Sequence, residues 1–342
     1  MSSIEKKILR PIWRAYLRTW GKMKILYMFL LDCMRFCRHF GANNLNCKEA
    51  ALARIVMGYH VVEKGLTMPN RQLGFGKNVI RELICNINQF ETFFGTKEQQ
   101  VNTAIGVIRN YAELHQKAEY DFKEDIDFKE QLYNFVDQHK DIPLVPQYHF
   151  TREQFYASNE LPFPQFAESR HTVRHFTGSI KEETIKECVG LAMTAPSACN
   201  RQHTRVHCVC DHGLRDRVFA LQGGNRGFGS DADKILVVTT DLLDLRWAEE
   251  RNDAYTNAGI FIMNLCYALH YYKIAHCILH WSVSHGKDKA IRRLIEIPDN
   301  ENIVVIIACG NAPEMFDVAR STRKSVDEVL SFIRSHKNDS TP

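Results

Sequence analysis

Apolar residues recur at three- and four-residue spacing through residues 25–36, 51–62, 79–90, 101–114 and 128–136, and the pattern predicts five helices with no β-rich run between them. The period then changes. Short β-branched runs at residues 204–210, 235–240, 274–279 and 303–309 alternate with helical stretches and predict four strands in an α/β sandwich. One helical stretch, residues 254–272, has nineteen positions without Asp, Glu, Lys or Arg. Thr256, Asn257, Gly259, Asn264 and His270 interrupt it, so it reads as a buried core helix and not a membrane span. Pro143, Pro146, Pro162 and Pro164 cluster between the two regimes, as in a linker. The expected organisation is a helical domain over 1–141, a Pro-containing linker over 142–168, an α/β domain over 169–335 and a polar tail over 336–342. Ser179 with Glu182 and Ser325 with Glu328 have capping-box spacing and mark two helix starts in the α/β half.

Composition narrows the function classes. With 342 residues, 45% apolar and 25% charged, collagen, coiled coil and wholesale disorder are excluded. A net charge of only +4 argues against a nucleic-acid reader. The charge is uneven, however: residues 1–40 hold nine Lys and Arg against Glu5 and Asp32, a surplus of +7, which leaves −3 for the remainder. Trp13, Tyr16, Trp20 and the apolar run 25–31 lie among these charges. Seven residues cannot span a bilayer, but the mixture suits a helix lying on an anionic membrane; the alternative is that the stripe packs on the helical domain and turns its charges to water. Eleven cysteines, an odd number scattered from Cys33 to Cys309, fit a reducing cytosol better than a disulfide framework. No signal-peptide pattern is read at the start, where Arg10, Arg14, Arg18, Lys22 and Lys24 break up the apolar residues. The expected location is cytoplasmic, with peripheral attachment to the inner membrane face as the variant in which residues 1–40 bind lipid.

Several clusters could carry chemistry. Cys208, Cys210 and His212 alternate and would share one face of a strand, but a fourth ligand is missing and no metal is expected. Cys199 with His203 and His207 lacks an orienting partner for a thiol nucleophile. The loops at Gly74 and Gly76 and at 223–229 lack dinucleotide spacing, although the second, just before a strand, would let backbone approach a planar ligand or is a plain surface turn. The segment 169–176 differs. It packs Arg170, Arg174, His171, His175, Ser169 and Thr172 together where the linker ends, and guanidinium forks with hydroxyls suit a phosphorylated polyol. Arg320, Arg323 and Lys324 form a second basic cluster before the capped Ser325.

These segments resemble, in order, the FMN-dependent nitroreductase family: 169–176, 195–202, Asn225 with Arg226, the helix 257–272, 277–282 and 320–324. The resemblance covers roughly 165–335. It implies an α+β fold, an all-helical N-terminal domain followed by a nitroreductase-like α/β sandwich with a central mixed sheet flanked by helices. It also implies FMN, with NAD(P)H as electron donor and a small-molecule acceptor in a two-step cycle, and a homodimer with sites built by both chains. Arg170, Thr172 and Arg174 would then hold the phosphate and ribityl chain with His171 alongside, and Arg323 with Arg320 would close on the phosphate. Pro196, Ser197 and Asn200 match the segment reaching the partner's flavin, Asn225 and Arg226 the loop at the pyrimidine edge, and His280, Trp281 and Ser282 the turn whose amide points at flavin N5. A guanidinium such as Arg226 there favours negative charge on the reduced ring. No side-chain nucleophile is required.

The sequence departs from that family at His203, where proline is usual, at the bulky Trp281, which would narrow the ring face, and in its long helical extension. The extension, including residues 60–69, resembles nitroreductase-family proteins associated with polysaccharide biosynthesis, which implies a flavin enzyme acting on a glycan or lipid-linked sugar as the alternative. His60, Glu63 and Lys64 would line a lid in that version, or else Gly65 simply caps a helix in the left-handed conformation before Pro69. A peripheral-membrane scaffold with a vestigial flavin site is the reading from another class.

Overall fold

The computed structural model describes residues 3–39, 47–95 and 98–334, with side chains from residue 19 onward. The expected tail at 336–342 and the side chains of Trp13 and Tyr16 lie outside the described residues. The chain forms two compact units, each discontinuous in sequence.

One unit is helical. It comprises α2 (Lys48–Leu66), α3 (Lys77–Phe94), α4 (Gln99–Lys117) and α5 (Ile126–Gln138), together with the chain after residue 318. Each helix contains one of the predicted periodic stretches, because the apolar residues of those stretches make its core: Ile55, Ile80, Ile105, Ile108, Phe128 and Leu132 are fully buried. Asp125 caps α5 by accepting from Phe128 N at 3.3 Å, and Arg81 donates to the same carboxylate at 2.5 and 3.1 Å. Gly65 is not a left-handed cap. It lies inside α2, where any Cβ would run into the Phe75 ring, so close packing and not a positive φ requires the glycine.

The other unit contains α1 (Ser3–His39), residues 67–70 and residues 149–318. After β1 (Tyr148–Thr151), α6 (Arg152–Tyr156), α7 (Phe163–Ser169) and α8 (Glu182–Ala192), the chain alternates β2 (Thr204–Val209), α9 (His212–Gln222), β3 (Lys234–Asp241), α10 (Asp253–Tyr271), β4 (Ala275–His280) and α11 (His285–Leu294). It closes with β5 (Glu301–Gly310) and β6 (Met315–Val318). The four predicted strands are β2 to β5, in the order β2-β3-β5-β4, and β1 pairs separately with β6. The architecture is α+β, a helix-flanked sheet, as the sequence implies.

Every pairing in the four-stranded sheet is antiparallel, where a mixed sheet was expected. The reason is topological. The crossover through α10 leaves β3 and β4 pointing the same way, but β5 enters between them and runs against both. Leu236, Val238, Ile307 and Cys309 face α8 and α10, while Ile235, Val237 and Ile306 are equally buried on the opposite side, so both faces of the sheet are covered.

The Ser179 capping box does not form. Lys181 precedes α8 without a side-chain cap; instead Ile180 N donates to Asp233 at 2.8 Å and Asn311 donates to Ser179 O at 2.9 Å. The box at Ser325 does form, closing a short 3-10 turn at Val326–Glu328. No described helix is long and apolar enough to cross a membrane.

Candidate functional site

The site is organised along α10. Near its C-terminal end, His270 is fully buried and hydrogen-bonded to Ser169 at 2.9 Å. Because the Ser169 hydroxyl donates to Phe166 O, His270 Nε2–H is the donor to Ser169. Asn159 donates to the carbonyls of His270 and Tyr271 at 2.7 and 3.0 Å, pinning the same end. The chain after Ser169 then runs beside β4, with Val173 N donating to His276 O at 3.0 Å. Val173 is fully buried, whereas Arg170, His171, Thr172 and Arg174 remain half-buried. His171 stacks near Phe150, 6.1 Å between ring centres. Among the described residues no group accepts a hydrogen bond from the guanidinium of Arg170 or Arg174. Two guanidinium groups four residues apart, on a segment bonded to edge strand β4 and without an internal carboxylate, are suited to an external phosphate.

Burial pushes His270 down to about 3, helped by the charges of His276, Arg170 and His171, and burial pushes His276 down to about 4. Both are held neutral, and the nearby Arg170 charge acts in the same direction on each. His270 Nδ1 and His276 Nε2 are buried with no partner among the described residues.

At the other end of α10, Asn257 accepts from Ala198 N at 2.9 Å and donates to Asp253 O at 2.8 Å. This holds the loop carrying Pro196, Ser197 and Asn200. Cys199, Asn200 and Gln202 all have φ between 51° and 54°, a left-handed conformation that costs non-glycine residues energy and persists only when the surroundings enforce it. Several bonds enforce it here. Gln202 N donates to Ser197 Oγ at 3.1 Å, and Arg201 forks onto Glu250 at 2.9 and 3.1 Å. The Arg201 hydrogen bonds hold the Glu250 carboxyl down at about 2. Beside the loop is a cavity of about 250 Å³ whose lining includes Val189, Met193, Pro196, Ser197 and Phe261. Residues 257 and 270 are thirteen positions apart, about 20 Å along a helix, so this loop and the arginine segment are separate patches on one chain.

Asn225 and Arg226 are brought to the His280 turn by Gln222. Its side chain donates to His280 O at 3.1 Å and accepts from Gly224 N at 2.6 Å and from Asn225 Nδ2 at 3.2 Å. Asn225 also donates to Phe219 O at 2.8 Å, so its amide serves the loop, while Arg226 is exposed. Trp281 is anchored through Nε1 to Asp288 at 2.9 Å, and Ser282 N donates to His280 Nδ1 at 3.2 Å.

Arg320 and Arg323 belong to the helical unit. Arg320 stacks over Tyr148 at 5.4 Å, and Arg323 donates to Ser321 O at 2.6 Å. Ser321 N donates at 3.3 Å to Glu63, a fully buried carboxylate that also faces His60 at 3.4 Å, and Tyr59 donates to Gln100 at 2.5 Å beneath them. Thus the 60–64 motif meets the basic C-terminal segment.

The remaining candidates are not assembled. The thiols of Cys208 and Cys210 lie 3.7 Å apart, but His212 turns to Asp233. His207 pairs with Glu301 at 2.7 Å, apart from Cys199. Among the described residues no group of three or more His, Cys, Asp or Glu could hold a metal. The residues that position the site, His270, Asn257, Gln222 and Glu250, were not among the expected site residues. Only the first two left a signal, as polar interruptions in an apolar helix.

Residues 167–224 match the family model described as Nitroreductase family. No curated protein matches the chain. Among solved structures it is similar to a nitroreductase-like protein from Streptococcus mutans, with 18% identity, 50% of this chain and 98% of that one covered, and TM-score 0.44. It is also similar to an FMN-dependent nitroreductase from Clostridium difficile, with 18% identity, 51% and 98% covered, and TM-score 0.39. A protein assigned as a nitroreductase from Desulfovibrio desulfuricans, solved in complex with FMN, shares 18% identity over 52% of this chain and 99% of that one, with TM-score 0.43.

The buried histidines set a pH dependence. In the unfolded chain they titrate near the ordinary value of 6.5, and in the folded chain near 3 and 4, so between those values the unfolded state binds more protons. Their contribution is complete above pH 6.5 and is lost as pH falls. Between about pH 7 and pH 5 each costs about 2 kcal/mol of stability. Urea unfolding of the wild type and of His276→Leu at these two pH values checks this: the variant should lose about 2 kcal/mol less over the same span, and parallel losses would refute the assignment.

Proposed function

We propose that the chain is an FMN-dependent oxidoreductase of the nitroreductase family, in which a nicotinamide donor and a small-molecule acceptor are served in turn at one flavin face. The observation that carries this reading is the pair of guanidinium groups without internal acceptors, Arg170 and Arg174, flanking the Thr172 hydroxyl on a segment pinned to β4. The match of residues 167–224 to the family supports it.

When bound, FMN supplies the two-electron transfer. The protein's part is to bind and orient. Arg170 and Arg174 neutralise the phosphate, and Thr172 with His171 lines the ribityl chain. His270 fixes Ser169 through its Nε2–H, so Arg170 leaves the end of α7 in one direction. Arg226 provides a positive charge at the ring edge, favouring negative charge there. Trp281, immobilised by Asp288, walls the ring face and limits the acceptor's size.

We also propose that a second copy covers the loop 195–202. Its surroundings on α8 and α10 expose Leu191, Met193, Tyr255, Ile260 and Met263, an apolar face beside the cavity that Pro196 and Ser197 line. A two-fold pairing would bring this loop of one copy toward the arginine segment of the other, joining the two patches that lie about 20 Å apart on one chain.

Equilibrium dialysis with FMN tests the first reading. Arg170→Ala and Arg174→Ala each remove a charge-assisted contact of about 1.5–3 kcal/mol and should weaken FMN binding roughly tenfold to hundredfold with the unfolding midpoint unchanged. Wild-type affinity in both folded variants would overturn it. For the pairing, light scattering at micromolar concentration should give twice the chain mass, and Met263→Glu should give the monomer; a wild-type monomer contradicts it.

A further inference from the structure

Helix α1 is amphipathic, and its polarity is inverted with respect to the unit it joins. Among residues 19–39 only Gly21, Met28 and Asp32 are partly covered, and these recur at seven- and four-residue spacing along one seam. Ion pairs hold this side to the protein: Arg251 donates to Asp32 at 2.5 Å, and Lys24 beside the seam pairs with Glu249. On the opposite side, at three- and four-residue spacing, stand Met23, Leu26, Tyr27, Leu30 and Met34, all strongly exposed; Leu26 is 71% and Leu30 53% accessible. A surface helix of a globular protein normally turns such a stripe inward. Here Asp32 and Lys24 meet ionic partners on the protein, Lys22, Arg35 and Arg38 are exposed, and the apolar stripe faces outward.

The basic residues state what covers it. Trp20 flanks the outward stripe, and in the sequence Lys7, Arg10, Arg14 and Arg18 recur at three- and four-residue spacing on the polar side of the helical period, opposite the stripe, with nine Lys and Arg against two acidic residues in the first forty. A surplus of +7 would repel a second copy of the same helix, whereas an anionic surface attracts it. Thirty-seven residues give a helix about 55 Å long, yet it is not apolar enough to cross a bilayer. A long helix with an apolar face, a basic polar face and an aromatic residue at the boundary lies in the plane of a membrane surface.

We propose that α1 docks this protein on an anionic lipid surface, with Met23, Leu26, Tyr27, Leu30 and Met34 entering the headgroup–acyl boundary and the lysines and arginines meeting lipid phosphates. The inference does not depend on the flavin site.

Vesicle co-sedimentation of the full chain tests it, using equal parts phosphatidylcholine and phosphatidylglycerol against phosphatidylcholine alone. At low salt the protein should sediment with the anionic vesicles. Partitioning should fall at least about tenfold on neutral vesicles and several-fold in about 1 M salt, where charges are screened beyond about 3 Å. The double variant Leu26→Glu with Leu30→Glu should lose at least about tenfold in partitioning with its circular dichroism unchanged. Met34→Glu alone gives a second, milder reading in the same direction. Wild-type protein left in the supernatant with anionic vesicles at low salt overturns the proposal. So does equal sedimentation of the folded double variant, or a solution dimer that the double variant dissociates while neither form binds vesicles.

Discussion

The α/β unit depends on one constraint: α10 must be buried across the sheet without carrying charge into it. Between Ala254 and Tyr271 the helix has no ionisable side chain but tyrosines, a cysteine and His270, and its Ala258, Leu265, Ala268 and Leu269 are buried against β3 and β5. The two buried polar side chains it does carry must find partners, since an unpaired polar group in such a setting costs about 1–3 kcal/mol. Asn257 finds the amide of Ala198 and His270 finds Ser169. Thereby the same helix that closes the core fixes both candidate patches, one near each end. The cost of keeping His270 neutral falls on acid stability, and the strain in the loop at Cys199, Asn200 and Gln202 is held by Arg201 and Glu250.

Much of this was legible in the sequence because burial is written as periodicity. The runs at 235–240 and 303–309 are nearly unbroken and apolar, which matches strands covered on both faces. The helices of the helical unit could be read from their stripes. What could not be read was set by contacts distant in sequence. β1 and β6 pair across more than 160 residues and are only four residues each, too short to show a period. Ser179 has ideal capping spacing, yet Asp233 takes over the chain entry to α8. Antiparallel pairing depends on where β5 inserts, which no local pattern encodes.

The same division applies to the chemistry. Arg170, Thr172 and Arg174 stood out by residue type and spacing, and the structure leaves both guanidinium groups without internal acceptors. Gln222, which ties the Asn225 loop to the His280 turn, is an ordinary polar residue at a helix end until the fold brings β4 beside it. For α1 the stripe was visible, but its direction was not. Whether an amphipathic helix turns its apolar face inward is decided by what Asp32 and Lys24 meet, and they meet Arg251 and Glu249.

The central claim is that the α/β unit holds a flavin phosphate at the segment beside β4 and its ring near the Gln222 junction. Amide hydrogen exchange of the full chain with and without FMN tests this most directly, because protection reports position independently of turnover. The account predicts added protection at residues 170–176, 223–229 and 280–283. Saturating FMN that changes exchange at none of these segments, or only elsewhere, would contradict it.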